Sequence, residues 1–104
     1  MRMSLDERVR SSVAALLHAT GESQTDLAAA LGVSQAQVSR RQSGAAVWSL
    51  ADCDAVAAHY GIDVLELLAG PTRASEALPA ERRRGHARHV STARAAAAGD
   101  GGAR

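Results

Sequence analysis

Four serines that have an acid or an amide three residues later stand at candidate helix starts in the first half of the chain, and a glycine follows each pair at the distance of a short helix. The pairs are Ser4 with Glu7, Ser23 with Asp26, Ser34 with Gln37 and Ser49 with Asp52, and the glycines are Gly21, Gly32, Gly44 and Gly61. A serine at a helix start accepts hydrogen bonds from the free amides of the first turn. A Glu or Gln three positions on can return the bond to the serine's own amide, as Glu7 and Gln37 are placed to do. Asp26 and Asp52 sit where the helix dipole favours a negative charge. Glycine then supplies the left-handed exit. Punctuation this dense leaves room only for short helices.

The apolar residues between these marks recur at helical spacing. Val9, Val13, Leu16 and Leu17 give the first helix, about Leu5 to Ala19, an inward face. Leu27, Ala28 and Leu31 do so for the second, and Val38 for the third. Leu50, Cys53, Val56, Ala57 and Tyr60 form one stripe on the fourth. Asp63 caps a fifth, Val64 to Leu68, which Gly70-Pro71 stops. Only 2% of the chain is aromatic and alanine is abundant, which suits close helix–helix contact better than sheets. The expectation is a compact all-α, five-helix domain over residues 1–70. Beyond Pro71 the periodicity fails, large apolar residues are limited to Leu78 and Val90, and residues 71–104 read as a disordered Arg/Ala/Gly-rich tail.

At 104 residues the chain holds one core and no large enzyme. No phosphate loop, nucleophile elbow or carboxylate pair is present, and there is no lysine, so the expectation is a non-enzyme without a cofactor. His86 and His89 share an i, i+3 spacing, but no further ligand stands nearby and no metal site is expected. The single Cys53 cannot form an intrachain disulfide and falls on an apolar stripe, where a buried small hydrophobe is the plain reading. No run suits a signal peptide or membrane span, so a cytoplasmic, nucleoid-associated protein is expected. Charge is split along the chain. Residues 1–70 carry five arginines against eight acids, a net −3, and residues 71–104 carry seven against three, a net +4.

The second and third helices are joined by Gly32-Val33-Ser34, and two short helices across such a turn are the sequence form of a helix-turn-helix. The small Ala28 suits a close crossing, and Leu27, Leu31, Val33 and Val38 point inward. Ser23-Gln24-Thr25-Asp26-Leu27-Ala28, then Leu31-Gly32-Val33-Ser34-Gln35-Ala36-Gln37-Val38-Ser39-Arg40, resembles the lambda-repressor-like (Cro and XRE) class of DNA-binding domains. Trp48-Ser49-Leu50 and the run from His59 to Leu68 are similar to the last two helices of that class. The resemblance covers about residues 5–70 and implies that Ser34 to Gly44 is the helix that reads DNA.

The resemblance gives Gln24 a DNA phosphate, through its side chain and the amides of its helix start. Gln35, Ala36, Ser39 and Arg40 would face the major groove, where Gln can bridge adenine, Ala can touch a thymine methyl and Arg can fork onto guanine. Thr25 and Ser43 would lie near the backbone. Gln35 and Gln37 cannot share a face, and Gln35 is assigned to DNA and Gln37 to the cap. Arg40 has a plainer reading as a surface charge or phosphate contact. Arg41 departs from the class, which has an apolar residue there, so either its stem packs while the guanidinium escapes, or the helix is rotated. Trp48 is read as a plug before the fourth helix rather than a stacking platform. Arg41, Arg82, Arg83 and Arg84, with Arg88, are candidates for auxiliary phosphate contact.

A short recognition helix makes few base contacts, so a homodimer on a partly palindromic double-stranded DNA site is expected, acting as a transcriptional repressor or other regulator. Leu65 and Leu68 are its candidate surface, or else they close the monomer core. The alternative from another class is an antitoxin-like interaction module whose tail folds onto a protein partner. The tail's few apolar anchors count against it.

Overall fold

The computed structural model describes residues 3–84, and all regular structure among them is helical. Six α-helices follow one another: α1 (Leu5–Thr20), α2 (Gln24–Leu31), α3 (Gln35–Ser43), α4 (Leu50–Tyr60), α5 (Val64–Ala69) and α6 (Pro71–Ala77), with a 3₁₀ turn at Ala80–Arg82. The serine punctuation acts as read. Ser4, Ser23, Ser34 and Ser49 each accept from the amide three residues on, at 3.0–3.1 Å. Glu7, Asp26, Gln37 and Asp52 each accept from the serine's own amide, at 2.8–2.9 Å. All four boxes are therefore reciprocal, including the two aspartate ones.

Capping ends the helices but does not hold them together, because segments of six to sixteen residues are marginal alone in water. The core does that. Val13, Leu16, Leu27, Val38, Val56, Tyr60 and Leu67 are fully buried. The longest helix, α1, packs against α3, α4, α5 and α6, while α2 packs against α3 and α4. One buried polar group belongs to this arrangement: the hydroxyl of Ser12 donates to the carbonyl of Leu67 at 2.8 Å. That bond fixes the height of α5 along α1, and it satisfies a group that would be costly to bury unpaired.

Two expectations are corrected. Leu50 is 76% exposed, although it lies in phase with Cys53 and Val56. Helical side chains lean toward the N-terminus, so that of the first residue overhangs the end of the core. Trp48, two residues earlier in the chain and 5% exposed, fills that end instead. The second correction concerns residues after Gly70. The ordered structure does not close there: α5 ends at Ala69, and Pro71 is the first residue of the next helix, a position where its missing amide is no loss. Gly70 makes the junction at φ 124° and ψ 174°, a conformation open in practice only to glycine. Ala74 and Leu78 are then buried against the rest of the core. A small residue and a single leucine suffice because α6 lies close along α1.

Leu78→Ala is expected to lower stability by about 2–4 kcal/mol, measured by urea unfolding; an unchanged midpoint would mean that α6 does not dock. The caps also give an acid response. Glu7 and Asp26 are held below the usual carboxylate range, chiefly by the backbone amides of Ser4 and Ser23 and next by the serine hydroxyls. Because the folded values are the lower ones, their stabilisation is whole above the ordinary carboxylate range near pH 4 and is lost as pH falls through the folded values. A Glu7→Gln, Asp26→Asn variant should lose helical circular dichroism less steeply than the parent between about pH 5 and pH 2.

Candidate nucleic-acid interface

Helices α2 and α3 are joined by a turn in which Gly32 takes φ 72° and ψ 29°. Its amide donates to the carbonyl of Ala29 and that of Val33 to Ala28, which ties off the end of α2 before the chain turns. No side chain approaches the space a Cβ would occupy at Gly32, so the backbone angle alone selects glycine there.

Three residues on the inner side of α3 fix its orientation. Val38 is fully buried. Gln42 donates from Nε2 to the carbonyl of Arg10 in α1, at 3.1 Å, and accepts from the indole N–H of Trp48, at 2.9 Å. Arg41 keeps its guanidinium inside the fold's edge. Its Nε lies 3.3 Å from Oδ2 of Asp52, and the guanidinium carbon sits 5.6 Å from the centre of the Trp48 ring. The helix is not rotated to accommodate it, since Val38 stays buried and Arg40 exposed on either side of the same turn. Gln42 had no signal in the hydrophobic pattern; only its position one turn after Val38 marks it as inward.

The outer side of α3 presents Gln35, Ala36, Arg40 and Ser43 to solvent, with Ser39 half-buried. Gln24, half-buried at the first position of α2, accepts a hydrogen bond from Nε2 of Gln35 at 3.3 Å, and Thr25 beside it is exposed. The starts of the two helices thus meet through a pair of carboxamides. Gln37 is spent on the Ser34 cap. Ser43 donates to the carbonyl of Arg40 and accepts from the amide of Ala45, so its hydroxyl serves the end of α3. Among the described residues Arg40 has no ion-pair partner, whereas Arg10, Arg41, Arg73 and Arg82 each have one.

The arginine run at the end of the described segment is divided. Arg82 donates to the carboxylate of Glu22 at 3.1 Å and to the carbonyl of His59, and lies over the Tyr60 ring at 5.5 Å. Arg83 donates to the carbonyl of Ser75. Arg84 is exposed and lies beside Gly21, where an added Cβ would come within 3.2 Å of its Cδ. Arg88, His86 and His89 lie outside the described residues. Among the described ones, no three His, Cys, Asp or Glu side chains gather as a metal site would require. Cys53 is buried, and burial, then the charges of Asp52 and Asp54, push its thiol up, away from the reactive thiolate form. Burial, reinforced by Glu22, pushes the Tyr60 hydroxyl up as well. No helix among the described residues is long and apolar enough to cross a membrane.

Two short helices across a glycine turn, the second anchored by its inner face and bare on its outer one, define a helix-turn-helix domain. The family model of the BetR domain matches residues 3–99. The chain belongs to that family, a class of small helical domains of DNA-binding type. No curated protein and no solved structure matches it.

Gln42→Ala would leave the Trp48 N–H without its partner and cut the tie from α3 to the Arg10 carbonyl, at a cost of about 1–3 kcal/mol. Urea unfolding followed by the fluorescence of the chain's one tryptophan should show both a lower midpoint and an altered folded-state emission.

Proposed function

We propose that the chain binds double-stranded DNA sequence-specifically through α3 laid in the major groove and acts as a transcriptional regulator, a repressor in the Cro and XRE manner. The observation that carries this reading is the outer face of α3. Gln35, tied to Gln24, and Arg40, without an ion-pair partner among the described residues, stand there on a helix held from behind. The bond from Gln35 to Gln24 leaves the Gln35 carbonyl and one N–H to meet an adenine edge, while Arg40 suits guanine. Gln24 and the amides at the start of α2 take a phosphate, with Thr25 and Ser43 nearby. Arg84, the exposed member of its run, adds an auxiliary phosphate contact.

The described residues carry eight arginines against ten acids, so general attraction to a polyanion is weak and two half-sites are needed. Leu65, 70% exposed on α5, is the surface for the homodimer. Leu68 packs against the core and contributes its edge. The reading assigns the chain no catalysis and no cofactor, and it places the protein in the cytoplasm on the nucleoid.

Selection from a random duplex pool should enrich a partly palindromic site. Arg40→Ala and Gln35→Ala should each weaken binding to that site about 5- to 150-fold and relax preference at one base pair per half-site. Equal retention of all sequences by the parent chain would overturn sequence-specific reading, and unaltered selection by both variants would remove α3 from the role.

A further inference from the structure

Among the described residues, Glu22 is the carboxylate where three separate parts of the fold converge. It lies in the turn between α1 and α2, two residues before Gln24. Its Oε1 accepts from the hydroxyl of Tyr60 at 3.0 Å, Nε2 of His59 lies 3.1 Å from both its oxygens, and its Oε2 accepts from Nη2 of Arg82 at 3.1 Å. Of these partners, only Arg82 carries a permanent charge. Arg82 is itself held in place, since it also donates to the carbonyl of His59 and lies over the Tyr60 ring. Both side chains are largely shielded, 29% exposed for Arg82 and 21% for Glu22, so the pair is screened less than a surface ion pair would be.

The location gives the pair its meaning. The start of α2, with Gln24, is the edge that meets DNA phosphate in the reading above, on which this inference rests. A bare carboxylate two residues from that edge would repel the phosphate. We propose that Arg82 serves DNA binding indirectly: it neutralises Glu22 and so keeps the α2 edge acceptable to a polyanion, without touching the DNA. The docked segment from α6 to Arg82 is thereby a working part of the interface, and Arg82 acts as a positioning and compensating residue rather than as a phosphate contact.

The test is a double-mutant cycle of Arg82→Gln and Glu22→Gln on the full chain, reading both affinity for the selected duplex across a salt series and the thermal midpoint. Arg82→Gln should weaken binding about three- to tenfold, equally for matched and mismatched duplexes. In the Glu22→Gln background the same change should cost less than twofold, with the dependence on salt as steep as in the parent chain. The thermal midpoint separates this from a structural role. The double variant regains DNA affinity although it still lacks the ion pair and stays less stable than the parent. A loss of equal size in both backgrounds, with the log–log salt slope shallower by about 0.9, would overturn the proposal in favour of a direct phosphate contact. A double variant bound no better than Arg82→Gln alone would reduce Arg82 to a structural strut. Failure of the coupling while the parent chain still binds duplex counts against this inference alone. Absence of any duplex binding by the parent chain overturns the DNA reading and this one with it.

Discussion

The serine hydroxyls at the starts of α1 to α4 are the interaction on which the remaining architecture depends. None of these helices has the length to persist alone, and α2 and α3 have about two turns each. A reciprocal cap satisfies amides that a two-turn helix would otherwise leave open, and it does so from within the local chain. The core then acts on elements whose ends are already set. The four serine-capped helices can turn sharply against one another because the start of each is set.

Polar contacts complete what the small apolar core leaves open. Ser12 ties α5 to α1, Gln42 ties α3 to α1 and to Trp48, and Arg41 ties α3 to the start of α4 through Asp52. Oδ2 of Asp52 receives both the Ser49 amide and Arg41, so the cap of α4 and the placement of α3 share one oxygen. These bonds are directional where packing of small side chains is not. A chain with so few aromatic residues gains from them a defined orientation for its candidate recognition helix.

Most of the fold was legible because the signals were local. The caps at Ser4 and Ser34, the glycine exits, and the stripe from Cys53 to Tyr60 depend on neighbours a few residues away. The use of Gln37 in the Ser34 cap followed from the same arithmetic. What escaped was long-range. Ser12 and Leu67 are 55 residues apart and Arg82 and Glu22 are 60 apart, and no spacing rule connects them. The docking of α6 was hidden because alanine, as in Ala74, reads equally as core and as tail. The Gly70-Pro71 pair carried the missing signal, since proline at a helix start is as ordinary as proline after a helix end. For the candidate site, the sequence placed Gln24, Gln35 and Arg40 on the right elements. It did not foresee that Arg82 and Arg83 would be bound within the fold while Arg84 stays outside.

The way α3 is held has an evolutionary side. Its grip on the domain rests on Val38, Arg41 and Gln42, and the exposed Gln35, Ala36 and Arg40 add nothing to the apolar core. Surface positions of this kind tolerate replacement with little effect on folding. Replacement at those three positions therefore leaves the scaffold intact, so that the chemistry of the outer face is adjustable one side chain at a time and the three inner residues are the ones that change must spare.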